Sequence, residues 1–305
     1  MNTTDLLVSE ERLNLPSLLK SYQEFCLLRN SQSVRAFNKL KEIWECISTE
    51  LWYKGYWNDY VKCGTIVLSC AKALDNISAQ GQLLNELGWA YMEQEKFDKA
   101  RQQFDESLQK FQLIKNPVGE CQSLRYLGTL LLRQKHLESA LKCYCQALEI
   151  VVIEQTKVHK DKALAAQEAE LRNVLGNLYF KLQNFHASYD ELHKSLTQYR
   201  ELYSEWGSPY LYYQAAPLLN LGRLYFLQKD YENARKYYAE CHQLCNEINR
   251  TDMKAGVLLR LAELARAEGN EEDAEQLAKE AEEVSGKEFP ALRNQAIRFR
   301  YKVES

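Results

Sequence analysis

Residues 83–104 read LLNELGWAYMEQEKFDKARQQF. Leucines and aromatics recur at three- and four-residue spacing, which predicts an amphipathic helix that turns near Glu95-Lys96 and begins again. Gly88 stands inside the first half, where glycine costs about 1 kcal/mol relative to alanine. A glycine kept in such a place implies that a side chain there would collide with a neighbour. The Leu-Gly pair returns at Leu127-Gly128, Leu175-Gly176 and Leu221-Gly222, and Leu261-Ala262 is an alanine version of it.

Other residue types return in step with the pair. Three residues after the small one come Tyr91, Leu131, Tyr179, Tyr225 and Ala265. Twelve after it come Ala100, Ala140, Ser188, Ala234 and Ala274, and sixteen after it Phe104, Tyr144, Leu192, Tyr238 and Ala278. The intervals between units are 40, 48, 46 and 40 residues, a period that marks stacked helical hairpins. In an antiparallel hairpin, small residues belong where the two helices come closest, with large ones filling the groove on either side. Gly88 against Ala100 is the expected close contact, and Tyr91, Phe97 and Phe104 the filling.

Composition limits the function classes. The chain has 305 residues, five prolines and twelve glycines, which suits long helices joined by short turns. A net charge of −3 offers no broad attraction to nucleic acid or to anionic lipid. No run of eighteen apolar residues occurs, and the first residues lack the basic-then-apolar order of a signal peptide. Nine cysteines scattered through helical segments fit free thiols in a reducing cytoplasm. Cys143-x-Cys145 and Cys241-His242-x-x-Cys245 suggest a zinc site, but residues two apart point to different helix faces. Buried thiols used as small apolar residues are the better reading, and Cys241 falls at the position of Ala147. No Ser-His-Asp or Cys-His order stands out, so the sequence argues against an enzyme and calls for no cofactor or metal.

The Leu-Gly pair, the aromatic three on, the alanine twelve on and the aromatic sixteen on together resemble the tetratricopeptide repeat (TPR) over about residues 81 to 283. The long period is similar to that of TPR arrays in signalling adaptors and bacterial peptide-sensing regulators, and Gly55-Tyr56-Trp57 resembles the start of the TPR arrays of bacterial STAND-type signalling ATPases. The resemblance implies an all-α, right-handed superhelical solenoid. Residues 1–80 would hold N-terminal helices with a degenerate unit, 81–288 five hairpins, and 289–305 a capping helix. In the degenerate unit, ELWYKGYWNDYVKCGTIVLSCAKALDN, Tyr56 is aligned with Phe97. The third unit departs from the pattern at Ser188, Leu192 and Arg172. No G-x-x-x-x-G-K-[ST] loop occurs, so the chain holds no such nucleotide site.

In TPR arrays the first helix of each pair lines a concave groove, through residues three before and one, four and five after the small one. Here these include Asn85, Trp89, Met92 and Glu93; Arg125, Thr129, Leu132 and Arg133; Asn173, Asn177, Phe180 and Lys181; and Arg223 with Phe226. Asparagine can bond a peptide backbone, and arginine can pair with carboxylates. The expected function is non-enzymatic capture of a protein or peptide segment with acidic and apolar residues, with positive character strongest in the middle. The alternative is a regulatory sensor whose superhelix changes shape on binding and gates another protein. The aromatic segment from Tyr199 to Tyr213 reads first as packing and second as a further contact surface. Residues 155–168 read as exposed helix.

Overall fold

The computed structural model describes residues 20, 31–157, 161–208, 210–286 and 289–301. Its described residues form helices and turns only. In chain order they are α1 (Ser31–Lys54), α2 (Trp57–Ala73), α3 (Ile77–Glu93), α4 (Phe97–Leu113), α5 (Pro117–Arg133), α6 (Leu137–Lys157) and α7 (Lys162–Lys181). There follow α8 (Phe185–Trp206), α9 (Tyr210–Tyr213), α10 (Ala215–Leu227), α11 (Tyr231–Glu247), α12 (Thr251–Ala267), α13 (Glu271–Ser285) and α14 (Pro290–Tyr301). They fall into two compact units, residues 1–147 and 148–305. Each is the all-α solenoid of antiparallel hairpins that the spacing predicts. The helix expected within residues 11–30 lies outside the described residues, apart from residue 20.

Local chemistry sets the helix ends. Asn76, Asn116, Asn184, Asp230 and Asn270 each cap a helix by accepting a hydrogen bond from the backbone N–H three residues on. Such a cap is worth about 1 kcal/mol. At the other end the chain reverses through one left-handed residue. Lys96 N–H donates to Tyr91 C=O and Glu95 N–H to Met92 C=O, which together close a Schellman motif. Asp75, Glu95, Lys115, Lys135, Gln183, Lys229 and Asn249 all hold positive φ at this place in their turns.

The glycines make room for rings rather than for the alanines. A Cβ on Gly88 would stand 2.5 Å from the Phe104 ring, and one on Gly176 2.5 Å from Leu192. Gly128 lies under Tyr144 and Gly222 under Tyr238 in the same manner. This corrects the expected pairing of Gly88 with Ala100: the residue sixteen on, not twelve on, occupies the space the glycine vacates. Ala100 is fully buried beside it. A second close approach lies nineteen residues after the glycine. There Ser107 Oγ donates to Gly81 C=O at 2.8 Å, Ser195 Oγ to Ala169 C=O at 2.6 Å and Cys241 Sγ to Ala215 C=O at 3.3 Å. Cys241 is thus a buried small residue, and its contact with Cys245 and its burial push its thiol well up.

The departures in the third hairpin have physical accounts. Ser188 donates to Gly176 C=O at 2.8 Å, a bond that alanine could not make. Arg172 bridges Glu168 on its own helix at 2.5 Å and Glu191 on α8 at 2.8 Å. Glu168 is only 7 % exposed, which corrects the reading of residues 155–168 as an exposed stretch. Burial alone would raise the Glu168 carboxyl, but hydrogen bonds from Arg172 and Gln198 more than offset it and hold it below its ordinary range.

The first hairpin, α1 with α2, exchanges large for small. Gly64 stands forty residues before Phe104, at the position where the next four hairpins place a ring or leucine. Trp44 reaches across from α1 instead, 3.2 Å from where a Gly64 Cβ would be. Trp57, not Tyr56, starts α2 as Phe97 starts α4, and Tyr56 is the residue before the helix. At the other end α14 packs on α12 and α13, with Leu258, Ala281 and Ala296 in one buried cluster.

Candidate partner-binding faces

The first helix of each pair carries its accessible residues on one stripe, spaced by three and four. On α3 these are Glu86, Trp89 and Glu93; on α5 Tyr126, Thr129 and Arg133; on α7 Val174, Asn177 and Lys181; on α10 Asn220, Arg223 and Leu227. On α3 and α7 the residue three before the small one is buried, whereas Arg125 on α5 and Leu219 on α10 are half-buried. Asn85 and Asn173, expected on the open face, are 2 % and 7 % exposed. Both turn into the seam between successive hairpins. Asn85 Nδ2 donates to Ser123 Oγ at 3.1 Å, and Asn173 Oδ1 accepts from Asn220 Nδ2 at 3.1 Å. Met92 is fully buried among Phe104, Leu127 and Leu130, so it too is no surface contact. Glu86, Tyr126, Val174 and Asn220 take the places these residues were expected to hold. Their spacing of three residues from Trp89, Thr129, Asn177 and Arg223 was the available signal.

In the first unit the face is aromatic. Trp89 lies 6.0 Å from Trp52 of α1 and 5.2 Å from Tyr126 of α5, centroid to centroid. Trp52 also meets Trp57 edge-on at 5.1 Å and Tyr60 at 5.9 Å. The basic groups here are already engaged. Arg133 pairs with Glu93 at 2.5 Å with its guanidinium 5.8 Å from the Trp89 ring, and Arg125 lies 4.6 Å over Tyr126. Thr129 shares a 3.0 Å hydrogen bond with the Tyr144 hydroxyl, and Leu132 is half-buried. Glu86 accepts from Trp44 Nε1 at 2.8 Å and makes no ion pair among the described residues. Burial pushes its carboxyl up, against the opposing effect of the Trp44 hydrogen bond.

In the second unit the face is basic and amide-bearing. The Arg223 guanidinium lies 5.1 Å over the Phe180 ring and 3.5 Å from Asn220 Oδ1, with no ion pair among the described residues. Arg260, on the following hairpin, is held by Glu263 at 2.6 Å. Burial first, and then Arg260, hold Arg223 below its usual value. Asn177 and Phe226 are half-buried, Lys181 is exposed, and Phe226 packs on Tyr231. The Tyr199–Tyr213 segment divides. Tyr199 is buried, stacks on Tyr213 at 5.7 Å and donates to Glu170 at 2.8 Å. Tyr203, Trp206 and Tyr213 keep about two fifths of their surface in water.

No helix among the described residues is long and apolar enough to cross a membrane. No group of three or more His, Cys, Asp or Glu residues among them could hold a metal ion.

Two runs of the chain, residues 80–151 and 213–287, match the tetratricopeptide repeat family model. With the repeat spacing and the hairpin geometry, this makes the chain a tetratricopeptide-repeat protein. No curated protein matches the sequence. Among solved structures the chain is similar to BtubC (BKLC) from P. vanneervenii, at 18 % identity and a TM-score of 0.60 over 75 % of this chain and 90 % of that one. It is also similar to a STAND signal-transduction ATPase with a tetratricopeptide repeat sensor from Pyrococcus horikoshii, at 16 % identity and a TM-score of 0.63. That match covers 95 % of this chain but 43 % of the other. A third likeness is to NprR in complex with its cognate peptide NprX, at 13 % identity and a TM-score of 0.56, covering 98 % of this chain and 76 % of that one. At these identities the likeness is one of fold.

Proposed function

We propose that the protein is a non-enzymatic interaction module that captures a partner segment on the first-helix face of its second unit, and that the segment is acidic and partly apolar. The observation that carries this reading is Arg223, a half-buried guanidinium with no ion pair among the described residues, held over Phe180. A desolvated cation without a counter-ion is unfavourable unless something supplies one. A carboxylate would do so, with the Asn177 amide available to backbone groups and Phe180 and Phe226 to apolar side chains. Lys181 adds rim charge, which affects the rate of encounter more than the strength of binding.

An array of random-sequence peptides probed with the labelled full chain tests this. Bound peptides should be enriched in Asp and Glu flanked by apolar residues, and Arg223→Glu should lose them while keeping its helical circular dichroism. Binding without acidic enrichment, or retained by the variant, overturns the reading.

The sensor reading has support from two relatives of the same fold, NprR with its peptide and the STAND protein with its repeat sensor. Small-angle scattering with and without a peptide from the array separates the two. A changed radius of gyration favours a sensor, and an unchanged one a rigid module.

A further inference from the structure

The first unit carries a group that the acidic-segment reading does not use. Glu86 sits at the inner end of the α3 stripe, mostly shielded from water, with an indole N–H as its one hydrogen-bond donor among the described residues. Around it, Trp44 meets Tyr60 at 4.8 Å, Tyr60 meets Trp52 at 5.9 Å, and Trp52 meets Trp89 at 6.0 Å. Trp44 and Tyr60 are buried, whereas Trp52 and Trp89 are half-buried and reach the surface. Aromatic rings near a carboxylate that has no ion pair among the described residues form the surround that favours an organic cation. Lys41 acts on the Glu86 carboxyl through its charge but forms its ion pair with Glu45, at 3.7 Å, and Arg133 pairs with Glu93.

We infer that Glu86, with the half-buried Trp52 and Trp89 and backed by the buried Trp44 and Tyr60, forms a site for the ammonium group of a lysine side chain from a partner. The choice of ammonium over guanidinium follows from the carboxylate. Oε2 already accepts from Trp44 at 2.8 Å, which leaves Oε1 alone for a ligand. A guanidinium gains most from a carboxylate when two parallel bonds reach both oxygens, whereas an ammonium is a point charge satisfied by one oxygen and the ring faces. The site lies in the other unit from Arg223 and takes the opposite charge, so it goes beyond the proposed function and stands or falls separately from it.

The probe is n-butylammonium, a lysine side-chain mimic, titrated into the full chain at low salt. Binding is read by intrinsic tryptophan fluorescence, to which Trp44, Trp52 and Trp89 contribute directly. A saturable change is expected, at least tenfold weaker in Glu86→Gln, whose amide oxygen can still accept from Trp44 and so keep the local fold. n-Propylguanidinium should bind more weakly, and neutral n-butanol should not saturate. Arg223→Glu should leave the titration unchanged. Absence of saturation, or equal affinity in Glu86→Gln with intact helical signal, overturns the site. Tighter binding of the guanidinium overturns the ammonium assignment. Should Glu86→Gln lose its fold, Trp52→Leu serves in its place: affinity must fall at least threefold, and unchanged affinity is the negative result.

Discussion

The two units use one packing scheme and dress it with opposite charges. Gly88 under Phe104 in the first unit and Gly222 under Tyr238 in the second are the same contact, as are Ser107 on Gly81 and Cys241 on Ala215. On the face between these contacts, however, the first unit holds an acid near rings, Glu86, and the second a base, Arg223, each with no ion pair among the described residues. Their interiors differ as well. The second unit places an ion network, Glu168–Arg172–Glu191 with Lys194 at its exposed end, where the first hairpin solves its packing with Trp44 over Gly64. Hairpin geometry fixes what stands zero, sixteen and nineteen residues along from the small residue. It leaves the stripe at minus two, plus one and plus five free to vary, and specificity can be written there.

The largest expected effect breaks the interior contrast. Arg172→Ala strands Glu168 and leaves Glu191 only the exposed Lys194 at 3.3 Å, and removing one partner of a buried network costs about 3–5 kcal/mol. Urea unfolding followed by hydrogen exchange should show the loss confined to the second unit. A loss below about 1 kcal/mol would mean that water reaches the network. Acid should separate the units too. The folded Glu168 carboxyl lies below its ordinary value of 4.5, so its contribution is present above that value and is lost as pH falls through the folded pKa. Glu86 is shifted the other way, up from 4.5. Its contribution is fully present below 4.5 and is lost as pH rises through the folded pKa. On acidification through this window, exchange protection around α7 should weaken while that around α3 holds or improves. Parallel behaviour of both would remove the distinction.

Next in size is a change at the shared contact. Gly128→Ala and Gly222→Ala each place a methyl group where a tyrosine ring already stands. Overpacking costs about 1–3 kcal/mol, which outweighs the helix-propensity gain of about 1 kcal/mol. Gly256 is the control, since a Cβ there meets nothing within 4 Å, and Gly256→Ala should instead stabilise by about 0.5–1 kcal/mol. Thermal melts of the three variants decide it. A stabilised Gly128→Ala would show that the ring of Tyr144 can move aside.

Repeat spacing made the hairpins legible because residues zero, three, twelve and sixteen along are fixed by local packing, which sequence records directly. The face was less legible, for a physical reason. A one-residue error on a helix rotates a side chain by about 100°, enough to carry Asn85 and Asn173 from the open stripe into the seam and to hide Glu86 and Asn220. Pairing was illegible too. Nothing in the local sequence says that Glu93 reaches Arg133 forty residues on, or that Arg223 has no such partner among the described residues. Trp44 opposite Gly64 escaped notice because the exchange reverses the order in which large and small residues come along the chain.

The smallest expected effect sits in the turns, where the units differ only in residue type. Lys135 in the first unit and Asn249 in the second hold the same left-handed place, at φ 64° and 53°. For a residue with a Cβ this conformation costs about 1–2 kcal/mol, and asparagine tolerates it best because its short amide can bond the local backbone. Glycine removes that cost but gives back about 0.5–1 kcal/mol through the greater freedom of the unfolded chain. Lys135→Gly should therefore stabilise by about 0.5 kcal/mol, and Asn249→Gly should be close to neutral. Both substitutions leave the Schellman hydrogen bonds of His136 N–H to Leu131 C=O and Arg250 N–H to Cys245 C=O in place. Paired chemical denaturation curves with matched slopes measure the difference. Equal gains at the two turns would show that the side-chain amide of Asn249 does nothing for its conformation.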